Sequence, residues 1–137
     1  MNFKLLSVFF VLFVINNAFG NEWTQFRGPG TSGHSSDETI PSTITKNVIK
    51  WTFDLPGTGH SSPVVWDQTV FMTLSSKESP GTRYVMALSL EDGSVKWRNK
   101  QKHEVYRQHR FNDFSSSTPC CDEKRVYVTW TSPKGVE

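Results

Sequence analysis

No run of apolar residues in this chain approaches the roughly 20 needed to cross a bilayer as a helix; the longest, Leu5 to Ile15, spans 11 and is interrupted by Ser7. Cysteine is scarce as well. The 137 residues hold two, adjacent at Cys120-Cys121, so a framework of several disulfides is excluded as the source of the fold. Neither sign of charge dominates: 15 basic against 13 acidic side chains leave +2, which is no basic field for a nucleic acid or an anionic membrane. A Gly-rich phosphate loop, His-x-x-x-His or Cys-x-x-Cys metal spacing and a Gly-x-Ser-x-Gly elbow are all missing. After residue 20 no stretch keeps the 3.6-residue apolar period of an amphipathic helix.

What is present is a globular composition, 36% apolar and 13% aromatic, behind a leader. Lys4 supplies the positive charge, Leu5 to Ile15 the short apolar core, and Ala18-Phe19-Gly20 the small-x-small cleavage site of a secretory signal. Residues 1–20 are therefore read as a signal peptide, with the mature chain starting at Asn21 outside the cytoplasm, secreted or periplasmic. With no cysteine near the cleavage site, a lipid anchor there is excluded. Residues 21–47, rich in Gly, Ser and Pro, form an N-terminal lead-in segment whose Trp23 and Phe26 are expected to plug onto the domain that follows.

From residue 48 short strands take over, rich in Val, Ile, Trp, Phe, Thr and Tyr and punctuated by Gly, Pro, Asp and Ser. Strands are predicted at Val48 to Asp54, Ser62 to Trp66, Thr69 to Leu74, Arg83 to Leu90, Ser94 to Asn99, Thr118 to Cys121 and Arg125 to Thr131. Tight turns are predicted at Asp67-Gln68, Glu91-Asp92-Gly93 and Asp122-Glu123-Lys124. The stretch from His60 to Thr73 also repeats: placing Pro63 on Pro119 pairs Val70 with Val126, Phe71 with Tyr127 and Thr73 with Thr129, without a gap, at an offset of 56 residues. Such self-similarity marks repeat architectures. Four strands followed by the first two of another set read as one full blade and half of a second in an all-β β-propeller of four-stranded antiparallel blades. The strand at 48–54 is read as the outer, closing strand of a further blade. On this reading residues 48–137 are a partial, truncated propeller domain, and the chain is an N-terminal fragment.

The residues that carry a family resemblance are Trp23-Thr24-Gln25-Phe26-Arg27-Gly28-Pro29, Ile49-Lys50-Trp51, Gly59-His60-Ser61-Ser62-Pro63-Val64-Val65, the stretch from Ala87 to Trp97, and Ser116-Ser117-Thr118-Pro119. Together they resemble the PQQ-like (pyrroloquinoline quinone repeat) β-propeller proteins of the secreted bacterial type. The family signature is Ala-x-Asp-x-x-Thr-Gly-x-x-x-Trp; Ala87, Gly93 and Trp97 fit it, while Ser89 and Asp92 replace the Asp and the Thr. The resemblance implies that Trp51 and Trp97 pack each blade against its neighbour. It also implies that the two replacements remove polar contacts bracing the turn, leaving that blade loosely specified. It points to a binding or scaffold module engaging an unknown protein or polymer, monomeric at full length. The family also contains quinoprotein dehydrogenases oxidising an alcohol or sugar, which would bring PQQ and calcium; no cofactor is expected in this segment.

Two constellations are candidates for function. His60, Ser61 and Ser62, together with His109, Arg110 and Asn112 in the longer Lys100 to Phe114 connection, precede inner strands and are expected to open at the channel mouth as ligand contacts. His34 and His103 are read as surface residues. Adjacent Cys120 and Cys121 alternate across a strand with Cα atoms about 3.8 Å apart, short for a disulfide. They are read as reduced, structural thiols, with a vicinal disulfide and a cofactor platform as the alternatives. The carboxylates of Asp37-Glu38, Glu91-Asp92 and Asp122-Glu123 are assigned to turn chemistry.

Overall fold

The structure is a computed structural model that describes residues 22–36, 39–76 and 80–137; the signal at 1–20 and the Asp37-Glu38 pair lie outside these residues. Four strands make an antiparallel meander: β1 (Val64–Trp66), β2 (Thr69–Ser75), β3 (Gly81–Ser89) and β4 (Val95–His103), side by side in chain order. Asp67 and Gln68 connect β1 to β2 with φ of 41° and 55°. A two-residue loop with both residues left-handed turns the chain in step with the right-handed twist of its strands. Between β3 and β4, Gly93 takes φ 73° and its N–H reaches the Ser89 carbonyl at 2.9 Å, a conformation that strains any residue with a Cβ.

Register follows the alternation of the sequence. Val70↔Leu88, Met72↔Met86 and Leu74↔Tyr84 are opposite one another, so the apolar side chains of β2 and β3 share a face. Val70, Leu74, Met86 and Leu88 are buried there, with Trp51, Phe53, Val65, Met72, Tyr84 and Leu90 packed against them. Each such aliphatic side chain, once buried, contributes on the order of 2 kcal/mol. Phe71, Ala87 and Trp97 lie on the other face, with Phe71 and Trp97 ring centroids 5.9 Å apart.

Residues 48–54 depart from expectation. Lys46–Val48 is a 3-10 turn and no strand follows it. Trp51 and Phe53 still point inward while Thr52 and Asp54 face solvent, but a two-residue period gives a strand only where an edge is free to pair with. Trp51 attaches through its side chain instead. Its indole N–H donates to the Leu90 carbonyl at 3.0 Å, and a Cβ on Gly93 would meet its ring at 2.6 Å. Gly93 thus serves both the turn and the seat of the indole. Trp97 has no comparable seat and is 43% exposed.

The second copy of the repeat is thinner than predicted. It consists of a hairpin of β5 (Cys120–Cys121) and β6 (Val126–Tyr127) and a further hairpin of β7 (Thr131–Ser132) and β8 (Gly135–Val136). Of the lead-in segment, Trp23 docks through its backbone, exchanging hydrogen bonds with Val65 at 3.1 and 2.8 Å, while the Thr24 carbonyl accepts from the Cys121 N–H at 2.9 Å. Val65 and Cys121 are equivalent in the repeat, so the lead-in laces the two copies together. Phe26, by contrast, is 58% exposed. The architecture of the described residues is mostly β, a four-stranded antiparallel sheet with two small hairpins, and they form no closed ring of blades. None of their helical turns is long and apolar enough to cross a membrane.

Candidate functional site

Ahead of β1 the chain from Gly57 to Ser62 continues along the same edge of β2. Thr58 and Ser75 exchange backbone hydrogen bonds at 2.9 and 2.7 Å, and Gly57 lies so close that a Cβ there would be 2.6 Å from the Ser75 carbonyl oxygen. Between Thr58 and Val64 the ladder is interrupted. There the Ser115 carbonyl accepts from the N–H groups of both His60 and Ser61 at 3.1 Å, and Ser62 N–H donates to Thr118 Oγ1 at 3.0 Å. Ser62 and Thr118 are repeat equivalents, so the two copies run side by side in register.

A buried hydroxyl network lies beneath this seam. Ser61 Oγ donates to the Thr73 carbonyl at 3.0 Å, Thr73 Oγ1 to Ser61 Oγ at 2.9 Å, and Ser115 Oγ to Thr73 Oγ1 at 2.9 Å. Its anchor is Asp113, only 4% exposed. The Asp113 carboxylate accepts from Ser75 Oγ at 2.6 Å and the Ser115 N–H at 3.3 Å on one oxygen, and from Thr58 Oγ1 at 3.1 Å on the other. A carboxylate out of water needs such donors. Ser75 is wholly buried and hydrogen-bonded to carboxylate rather than imidazole, so this arrangement clamps loops and presents no activated nucleophile. Asp113 escaped the sequence reading because no motif surrounds it; the run Asn112-Asp113-Phe114-Ser115-Ser116-Ser117 was the available signal.

The six expected ligand contacts divide between clamp and rim. Ser61 and Ser62 are half-buried in the seam, and Asn112 Oδ1 accepts from the Asp113 N–H at 2.9 Å and from Ser116 Oγ. His60, His109 and Arg110 are exposed. His109 Nδ1 accepts from the Phe111 N–H at 3.3 Å, and the Arg110 guanidinium sits 4.5 Å from the Phe111 ring centre. His109, Arg110 and Asn112 share a hollow of about 260 Å³ with Val105, Tyr106, Gln108 and Phe114. His60 lies outside that hollow, its N–H bonded to the Ser115 carbonyl at 3.1 Å.

His34 is exposed as expected, but His103 is not a surface residue. It is 8% exposed, its Nδ1 lies 2.8 Å from the Glu104 carbonyl, and its ring packs at 4.7 Å on Phe114 and over Gly81. The ring sits at the end of β4 where the long connection folds back, a contact that sequence spacing does not encode. Arg83, also buried, donates to the Thr131 carbonyl, pairs with Glu137 at 3.5 Å and lies 5.1 Å from the Trp130 ring centre. It fastens the second copy to β3.

Cys120 is exposed and Cys121 buried, and both are free thiols. They pair with Tyr127 and Val126 and so face opposite ways. Burial pushes the Cys121 thiol up to about 11, with the Cys120, Glu22 and Asp122 charges adding to the effect. No group of three His, Cys, Asp or Glu among the described residues could hold a metal ion. The Asp113 oxygens are already engaged by protein donors.

Asp92 and Asp122 serve their turns as assigned. Asp122 takes the Lys124 N–H, the Tyr127 hydroxyl and the Arg125 N–H, each at 2.7 Å, and these bonds hold its carboxyl below the usual range. Asp92 Oδ1 accepts from the Ser94 hydroxyl at 2.7 Å and the Ser94 N–H at 3.0 Å, which with help from Ser89 lowers it to about 2. Ser89 and Asp92, the two replaced signature residues, thus both make hydrogen bonds within the β3–β4 turn. No family model, curated protein or solved structure matches the chain.

Proposed function

We propose that this chain belongs to a secreted or periplasmic repeat protein of the PQQ-like β-propeller type, working as a binding or scaffold module rather than an enzyme. The observation that carries the reading is the in-register seam. Repeat equivalents Ser62 and Thr118 are bonded directly, each is followed by a strand, a polar turn and a strand, and the lead-in laces Val65 to Cys121. Trp51 seated on Gly93 supports it further, as a tryptophan ahead of the blade packed onto the blade's last turn. On this reading the rim formed by His60, His109 and Arg110 contacts a protein or polymer ligand, and the Asp113 clamp holds the loops that present it.

The test is a binding screen of the full-length protein against immobilised envelope polysaccharides and purified extracytoplasmic proteins, repeated with His60→Ala/His109→Ala/Arg110→Ala. The expected result is a ligand whose affinity the triple variant lowers at least about tenfold, the order of effect of losing one or two charged hydrogen bonds. Unchanged affinity removes the rim from the site. Reduction of an artificial dye by the protein supplied with quinone and calcium overturns the module reading.

A further inference from the structure

Strand β4 is the outer edge of the sheet, and its sequence is Val95-Lys96-Trp97-Arg98-Asn99-Lys100-Gln101-Lys102-His103. Eight of its nine residues are exposed, and no backbone hydrogen bond among the described residues reaches its outer side. At about 3.3 Å per residue it presents roughly 30 Å of unpaired N–H and C=O groups. Such an edge is a template for another strand.

Its side chains restrict which strand. Arg98, Lys100 and Lys102 stand opposite Met86, Tyr84 and Thr82 of β3 and so share one face, at intervals of about 6.6 Å. β4 contains no acidic residue, and no ion pair among the described residues engages these cations. Lys100 Nζ lies 5.9 Å from the Tyr84 ring centre and Lys102 Nζ bonds to Thr82 Oγ1 at 3.0 Å, contacts that hold the stems down and leave the charge unneutralised. Lys96, at the irregularity beside Ala87 and Leu88, turns away to Gln68 and Thr69. On the opposite face Trp97 stands 43% exposed.

A second copy of β4 paired antiparallel with the two cation rows on one face, for instance Lys100 opposite Lys100, would put cation against cation, which is destabilising. Protection from self-pairing explains charge on an edge, yet from Trp97 to His103 the edge pairs with β3 without a register shift and is free of proline. We propose that β4 is a docking edge for an acidic strand from a partner protein. The partner segment is extended, carries carboxylates at alternate positions opposite Arg98, Lys100 and Lys102, and places an apolar or β-branched side chain beside Trp97. Backbone bonds supply the attachment and the cation row the selection, as in strand addition generally. The inference uses only the described sheet and stands whether or not the chain belongs to a propeller.

The experiment titrates the intact protein with a fluorescein-labelled nine-residue peptide bearing Glu at every second position and Val or Thr between. Saturable binding that weakens with added salt is expected. Replacing the peptide's Glu by Gln, or the protein's cations by Arg98→Gln/Lys100→Gln/Lys102→Gln, weakens binding about tenfold by removing three cross-strand charge pairs. N-methylation of the peptide along its pairing edge abolishes binding, because the backbone bonds are lost while the charge is kept. Absence of binding by the Glu peptide, or equal binding by its Gln form or by the triple variant, overturns the proposal. Equal binding by the N-methylated peptide marks a generic polyanion surface and overturns it too. Because the peptide arms use the unaltered protein, a folding defect in the variant leaves the test intact.

Discussion

Asp113 decides more of the local structure than any residue the sequence drew attention to. It accepts from Ser75, Ser115 and Thr58 in a site closed to water. Asp113→Ala leaves those donors without their acceptor, and a loss of about 3 kcal/mol is expected from stranding groups of this kind, read as a lowered urea midpoint. The cysteines make a second prediction at this scale. Cys120 is exposed, whereas the Cys121 thiol is buried and raised to about 11, so at pH 8 roughly one Cys121 thiol in a thousand is ionised. Iodoacetamide with mass spectrometry is expected to find Cys120 alkylated quickly and Cys121 only after unfolding. Two thiols in the unfolded protein without reductant confirm that no bridge forms, and finding none establishes a vicinal disulfide. The opposite facing of the two cysteines is legible in the alternation of a strand. Asp113 and His103 are not legible in that way, because their burial depends on a loop folding back over β2 and β4.

At the scale of elements, turns were the most legible features. Asp67-Gln68, the Gly93 turn and Asp122-Glu123-Lys124 are all where short-range chemistry put them, because a turn's hydrogen bonds are made by residues within it. The Asp92 turn yields a pH prediction. Its folded pKa of about 2 lies below the ordinary 3.8, so its contribution to stability is fully present above pH 4 and is lost as pH falls through about 2. An NMR titration of the Asp92 carboxyl is expected to show the low midpoint, and Ser94→Ala, which removes the largest cause, to move it back toward 3.8. The segment at 48–54 was misread for the complementary reason. Its alternation is real, with Trp51 and Phe53 packed on the core, but pairing requires an available edge, and the free side of β1 is taken by Trp23. β4 was predicted to end at Asn99 and runs to His103, because β3 begins at Gly81 and offers partners to the extra residues.

For the whole molecule, the signal pattern read at residues 1–20 makes export a prediction open to direct measurement. Expressed with residues 1–20 in a bacterium, the protein is expected outside the cytoplasm with a mass corresponding to a start at Asn21; recovery in the cytoplasm with Met1 retained contradicts the reading. The sequence by itself determined the strand class, the turns and the equivalence of the two copies, because alternation, turn chemistry and self-similarity are local or internal to the chain. Only the tertiary structure decided that the copies are bonded in register through Ser62 and Thr118, that Trp23 and Thr24 lace them, that Asp113 closes a buried clamp and that β4 is left as a cationic edge. Those outcomes depend on which edges and cavities remain after packing, and no window of sequence carries that information.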